Sequence, residues 1–270
     1  MRTVGPRICP SNLPHGRPAE GSKESLVGAI ARTTSPLPTR CSSLPPPTDL
    51  EAISSLFPAH VAVCIASSDM YCGGLFPQEV ELISASIPKR RAEFTAGRNA
   101  ARAALALIGA PVRPILRNPQ RAPVWPPGFV GSIAHCKEFC CAVVARSAQI
   151  ISLGFDAETI DSLEDELADH ICVADEFLHF ANLPQPPGTN WAKLAFSAKE
   201  AFHKCHNPLT GELLDFQDVS VRFSLGPTCR EGSFQITIGD RGASPAQQPS
   251  FHGAWLIDEK RVYAGACCLS

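Results

Sequence analysis

Asp156, Glu158 and Glu200 are the side chains of this chain whose types and spacing could do chemistry together. The first two end the segment Gly154-Phe155-Asp156-Ala157-Glu158, which follows the apolar run Ile150-Ile151-Ser152-Leu153. Alternate side chains of a strand share a face, so Asp156 and Glu158 point one way and Leu153, Phe155 and Ala157 the other. Two residues of rise separate the carboxylates by about 7 Å at the backbone, within reach of one small cation. Acid-only oxygen ligation suits Mg²⁺, with Mn²⁺ as the alternative, and disfavours zinc. Alone, such a pair also reads as the solvated face of a strand.

Glu200 closes Phe196-Ser197-Ala198-Lys199-Glu200, inside a helix predicted from Asn190 to Cys205. There Trp191, Leu194, Ala195, Ala198, Ala201, Phe202 and Cys205 recur at helical spacing as one apolar stripe, and Asn190 is the candidate cap. Glu200 and Lys204 are four apart, which by itself means a surface ion pair of a few tenths of a kcal/mol. Read with the strand, Glu200 becomes a third carboxylate and Lys204 a cation for the same anionic ligand. The combination is a Mg²⁺ site that handles phosphate. A metal-dependent phosphohydrolase or nuclease could use the same three acids.

Two further segments narrow the reading: Gln120-Arg121-Ala122-Pro123-Val124-Trp125-Pro126 and Gly131-Ser132-Ile133-Ala134-His135-Cys136. In order with the strand and helix motifs, they resemble the signature of the 4′-phosphopantetheinyl transferases, in the Sfp-type branch that includes the enterobactin-synthase enzymes. The resemblance runs from about Arg90 to Phe223. It implies an α+β fold of two similar halves with antiparallel sheets, related by a pseudo-twofold axis, with the active site in the cleft between them. It also implies transfer of the phosphopantetheine arm of coenzyme A to a serine hydroxyl of an apo acyl or peptidyl carrier protein, releasing adenosine 3′,5′-bisphosphate. The pathways in view are siderophore, other nonribosomal peptide, and polyketide synthesis.

By the same resemblance, Asp156, Glu158 and Glu200 hold Mg²⁺, with Asp156 also at the coenzyme A phosphates. Arg121, His135 and Lys204 contact those phosphates, and Arg91 and Arg98, with Arg90 behind them, bind the 3′-phosphate side. Glu176, in Val173-Ala174-Asp175-Glu176-Phe177, stands where the family has a glutamate proposed as general base, and Lys204 completes the catalytic set. The chain departs from the pattern at Ala134, where a serine is usual, at Cys136, and at Phe155. The missing hydroxyl at 134 implies one lost phosphate contact, on the order of 1 kcal/mol. It also keeps a non-catalytic coenzyme A or carrier-protein binding module in view.

The elements that must carry these residues read as follows. A strand is expected at 60–66, helices at 78–85 and 89–108, and a hairpin from 139–146 and 149–157. Helices at 161–170, 175–182 and 190–205 come next, then strands at 219–223, 233–238, 252–257 and 261–268. On the 89–108 helix Arg91, Arg98 and Arg102 share one face, while Phe94, Gly97, Ala101, Leu105 and Ile108 share another. The halves of the transferase are expected at 49–150 and 151–270. Residues 1–48 hold nine prolines, with six basic residues against two acidic, and no apolar periodicity. They read as a disordered leader.

The composition is that of an ordinary soluble globular protein: 270 residues, 44% hydrophobic, 19% charged, net charge −2. No apolar run approaches a membrane span, and the charge gives no pull towards nucleic acid. A cytoplasmic monomer is expected. Without a secretion signal, a CxxC or a Cys/His zinc pattern, the twelve cysteines read as small buried hydrophobes or free thiols, with Cys140/Cys141 and Cys267/Cys268 pointing to opposite faces in pairs.

Overall fold

The structure is a computed structural model that describes residues 48–161, 163–239 and 251–270; the leader reading for 1–48 lies, but for Thr48, outside the described residues. The described chain opens with a short helix that sequence periodicity missed, α1 (Asp49–Ser55). Its signal was a capping box: the Glu51 carboxylate accepts from the Thr48 backbone N–H at 2.8 Å while Thr48 Oγ1 accepts from Glu51 N at 3.3 Å. Strand β1 (Ala62–Ile65), the short α2 (Pro77–Glu81) and the 20-residue α3 (Pro88–Leu107) follow. A two-stranded ribbon of β2 (Leu116–Arg117) and β3 (Pro123–Val124) leads into β4 (Phe129–Cys136), β5 (Phe139–Arg146) and β6 (Ile150–Thr159). Helices α4 (Asp165–Ile171), α5 (Ala174–Ala181) and α6 (Trp191–Thr210) precede the closing strands β7 (Val219–Leu225), β8 (Glu231–Ile238), β9 (His252–Ile257) and β10 (Arg261–Leu269).

Two antiparallel sheets result, one in the order β1-β5-β4 and the other β6-β10-β9-β8-β7. The α+β architecture with antiparallel sheets is therefore as expected. The hairpin expected from 139–146 and 149–157 is not formed. β5 pairs instead with β4 through a turn at Glu138, where φ is +57°, and β6 pairs with β10. Adjacency in the sequence favoured the wrong partner, because β4 carries Gly131, Ser132 and His135 and has little strand propensity of its own.

The layers follow from the alternation along β5 and β6. Cys141, Val143 and Ala145 point into a central core shared with Leu153, Phe155 and Ala157 of β6, while Ala142 and Val144 face the opposite way, under α3. The outer face of the second sheet, including Val262, Ala264, Ala266 and Cys268, is covered by α6. Cys267 lies in the central core and Cys268 under α6, so that pair does straddle its sheet. Phe155 fills the central core against Phe57 and Tyr263, with ring centroids 6.3 and 6.5 Å away.

α6 starts as its sequence requires, with Asn190 Oδ1 accepting from Lys193 N at 2.9 Å, and runs past the expected end to stop at Gly211 in the left-handed region. Its backbone nearly touches β6: a Cβ on Gly154 would lie 1.8 Å from the Ala201 carbonyl oxygen and 2.8 Å from Cys205 N. Ser152 Oγ, two residues away, donates to the Cys205 carbonyl at 2.6 Å. Replacing Gly154 by alanine therefore forces helix and strand apart. The expected loss is about 1–3 kcal/mol, measured by urea unfolding; an unchanged midpoint would contradict this packing.

Candidate active site

Strand β6 and helix α6 bring the sequence-derived residues together. Asp156 and Glu158 leave β6 on its α6 side, opposite the core-facing Phe155 and Ala157. Lys204 Nζ donates to Asp156 Oδ1 at 2.6 Å and to the Phe155 carbonyl at 3.3 Å, and lies 3.9 Å from Glu200 Oε2. Lys193, one helical face with Glu200 and Lys204, acts on Glu158 as an opposing positive charge.

This cluster is short of positive charge. Burial, then the neighbouring Asp156 carboxylate, pushes Glu158 up to about 7, with Lys193 and Lys204 opposing. Burial and Asp156 also raise Glu200, against the pull of Lys204. Lys204 is itself raised, because Asp156 and Glu200 outweigh the burial that works to lower it. Asp156 is buried and its second oxygen, Oδ2, has no hydrogen-bond partner; nor has Ser197 Oγ, fully buried on α6 one turn before Ala201. An unpartnered buried carboxylate oxygen beside two destabilised acids fits an oxygen-seeking cation. Among the described residues no three acidic, histidine or cysteine side chains are already gathered at metal-ligand spacing; the ammonium of Lys204 stands among the acids instead.

His135 projects from β4, on the other side of the site. Arg90 Nη1 lies 2.8 Å from His135 Nε2. A guanidinium can only donate, so Nε2 is the acceptor and the ring proton is on Nδ1. The imidazole is held below its ordinary value first by loss of water, then by Arg90 and Lys204, with Glu93 and Asp156 opposing. Arg90, not Arg91, is thus the arginine at the site. The signal was present: Arg90 is in helical register with Phe94, Gly97 and Ala101, and Gly97 lies close enough to β4 that a Cβ there would be 2.9 Å from Ile133 Cγ2.

Four other expectations do not survive the geometry. Arg91 turns away to the chain before α3, donating to the Ser86 carbonyl at 2.8 Å and to that of Ser84. Arg98 is buried, its Nε donating to the Ile115 carbonyl at 2.6 Å and its guanidinium 4.3 Å from the centroid of Phe94, and burial lowers it to about 10. It holds the segment after α3, through Ile115 and Leu116, and is 6% exposed. Glu176 is 1% exposed: Oε2 accepts from Val173 N at 2.7 Å and from Lys199 Nζ at 2.8 Å, and Oε1 from Val221 N at 2.6 Å. With every oxygen committed and no access to solvent it cannot take a proton from a substrate serine. Ala134 points into the central core, so a hydroxyl there would not have faced the site.

Arg121 sits at the turn of the β2/β3 ribbon, at φ +68°, and its side chain makes no hydrogen bond or ion pair among the described residues. Cys136 is no nucleophile, since burial pushes its thiol up to about 11. Beside Glu200 a groove of about 370 Å³ opens between α6 and the following loop, lined by Lys199, His203, Leu213, Leu214 and Phe216 among others.

Comparison with known proteins decides the family. A model of the 4′-phosphopantetheinyl transferase N-terminal domain matches residues 78–145, and that of the 4′-phosphopantetheinyl transferase superfamily matches 152–248. The 4′-phosphopantetheinyl transferase PptT of Mycobacterium tuberculosis is 36% identical over 218 residues, which cover 78% of this chain and 95% of that protein. The chain belongs to the 4′-phosphopantetheinyl transferase family. The 4′-phosphopantetheinyl transferase Svp of Streptomyces mobaraensis is 36% identical over 189 residues, covering 70% of this transferase and 76% of Svp. Enterobactin synthase component D of Salmonella typhi is 41% identical over 120 residues, 43% of this chain and 48% of that protein. A solved holo-(acyl-carrier-protein) synthase from Bacillus anthracis in complex with CoA (3′,5′-ADP) is 18% identical and covers 46% of this chain and 99% of its own, at a TM-score of 0.33 too low to argue from.

The transferase is an enzyme of this class, and none of its described helices is long and apolar enough to cross a membrane. Its Arg90–His135 contact makes a pH prediction. Because His135 is depressed in the folded state, its contribution to stability is present above the unfolded value near 6.5 and is lost as pH falls through the lower folded value. Arg90→Met should move the His135 ring titration upward, read by NMR. A titration curve that does not move would remove Arg90 from the site.

Proposed function

We propose that the transferase moves 4′-phosphopantetheine from coenzyme A to a serine of an apo acyl or peptidyl carrier protein in a Mg²⁺-dependent reaction, with adenosine 3′,5′-bisphosphate as the other product. One observation carries this reading: a buried Asp156 whose Oδ2 lacks a partner stands with Glu158, Glu200 and Lys204, and Glu200 also lines an open groove. The serine oxygen bonds to the phosphorus that carries the pantetheine, the bond from that phosphorus to the oxygen bridging to the nucleotide breaks, and the serine proton leaves to water in the cleft. Asp156, Glu158 and Glu200 would hold Mg²⁺, which when bound neutralises charge on the phosphates as the transfer proceeds.

The other roles belong to residues that remain donors. Lys204, with its charge reinforced by the acids around it, steadies a phosphate oxygen, and so do Arg90 and the Nδ1–H of a neutral His135. Arg121, free at the ribbon turn, reaches for the 3′-phosphate end. The apolar side of the groove, Leu213, Leu214 and Phe216, receives the flexible arm. The setting is siderophore, other nonribosomal peptide or polyketide assembly in the cytoplasm, and the similarity to an enterobactin synthase component supports the first of these.

Incubation with coenzyme A, Mg²⁺ and a panel of apo carrier proteins should add the mass of phosphopantetheine to one serine, by mass spectrometry. Chelation should stop the reaction, and Glu200→Gln should slow it by about 10²-fold or more. No mass gain on any carrier overturns the proposal. Release of nucleotide from coenzyme A without a carrier would make the protein a hydrolase.

A further inference from the structure

Glu176 and Lys199 form an ion pair, each side chain 1% exposed, that no step above uses. Lys199 immediately precedes Glu200, about 100° round the helix from it, and both line the groove. Its three ammonium protons go to three separate segments: the Ile171 carbonyl at the end of α4 at 2.8 Å, Glu176 Oε2 of α5 at 2.8 Å, and the Phe216 carbonyl in the loop after α6 at 2.9 Å. Glu176 in turn takes Val173 N at the start of α5 and Val221 N of β7. The wall of the groove between 213 and 219 is therefore tied to α6 on both sides, at 216 through Lys199 and at 221 through Glu176.

We infer that the Glu176–Lys199 pair is a positioning device: it sets the separation between the groove wall and α6, so that an extended, nucleotide-free arm of the substrate lies at a fixed depth beside Glu200. Stability alone does not account for it. Two fully buried charges are commonly replaceable by apolar side chains at no loss of stability. What an apolar pair cannot do is hold two backbone carbonyls and two backbone N–H groups, from the stretches 171–173 and 216–221, at once. Every ammonium proton and both carboxylate oxygens are engaged, with each other or with the frame of the groove, and Lys199 is joined directly to Glu200 in the chain. A shift of the frame is then felt where geometry matters most to transfer.

The inference rests on the groove's being the seat of the substrate arm, and its test separates the two. Calorimetry on the full chain compares coenzyme A with 3′-phosphoadenosine 5′-diphosphate, which keeps all three phosphates and lacks the arm. If the unsubstituted protein takes up this nucleotide and coenzyme A with equal affinity, the arm has no seat and the reading of the groove fails. Otherwise the double variant Glu176→Gln with Lys199→Met, which removes both charges together, should bind the nucleotide within about twofold of the parent but coenzyme A at least tenfold more weakly. A structural role would lower both affinities together or neither, and either result overturns the inference. Should the double variant not fold, Lys199→Arg keeps the charge while its longer head displaces the Phe216 carbonyl, and the same selective loss is expected. Equal binding of both ligands to that variant also overturns the inference.

Discussion

The contact on which the molecule depends is the approach of the α6 backbone to β6 at Gly154. No side chain separates the Ala201 carbonyl from the strand, and the partner position on β10 is the small Ala266. Ser152 reinforces the approach by donating to the carbonyl of Cys205, so a backbone acceptor in the middle of a buried face is satisfied. A lysine on the following turn, Lys204, can then reach Asp156 at 2.6 Å and the Phe155 carbonyl besides. Had the helix stood off by the width of a larger side chain, the acids of the strand and Glu200 would belong to different surfaces.

α6 carries two lysine–acid arrangements, and they are built to opposite ends. On one side Lys199 and Glu176 are buried together with every donor and acceptor matched. On the other, Lys204 meets Asp156 and Glu200 but leaves Asp156 Oδ2 unmatched and Glu158 held up to about 7. A closed network is inert and makes a rigid part, whereas an open one stores unmet demand for a positive ligand. Two lysines five positions apart on one helix thus serve framework and site.

What could be read from the letters was what depends on neighbours in sequence. The alternation of β6 placed Asp156 and Glu158 together, and the stripe from Trp191 to Cys205 with its Asn190 cap located α6, since both are local periodicities. Strand pairing was not legible: β5 finds β4 and β6 finds β10, partners chosen by packing across the whole chain. Side-chain fate was legible only where one face settles it. Glu176 has the same letters as a solvent-facing base, and only the arrival of Lys199 and Val221 from elsewhere turns it into a buried brace. Arg98 is drawn inward by carbonyls of the segment after α3, which no helical wheel displays. α1 was missed for a different reason, as seven residues contain too little periodicity, although the Thr48/Glu51 pairing was there to be seen.

The strand that bears Asp156 and Glu158 lies at the margin of its sheet, and its hydrogen-bonded partner there is β10, beyond α4, α5, α6, β7, β8 and β9 in the sequence. During synthesis on the ribosome β6 therefore emerges long before its partner, on the order of ten seconds at ordinary elongation rates. For that interval an apolar strand rich in Ile, Leu and Phe has a bare edge. The strand that later carries the acids can complete its pairing only when the end of the chain arrives.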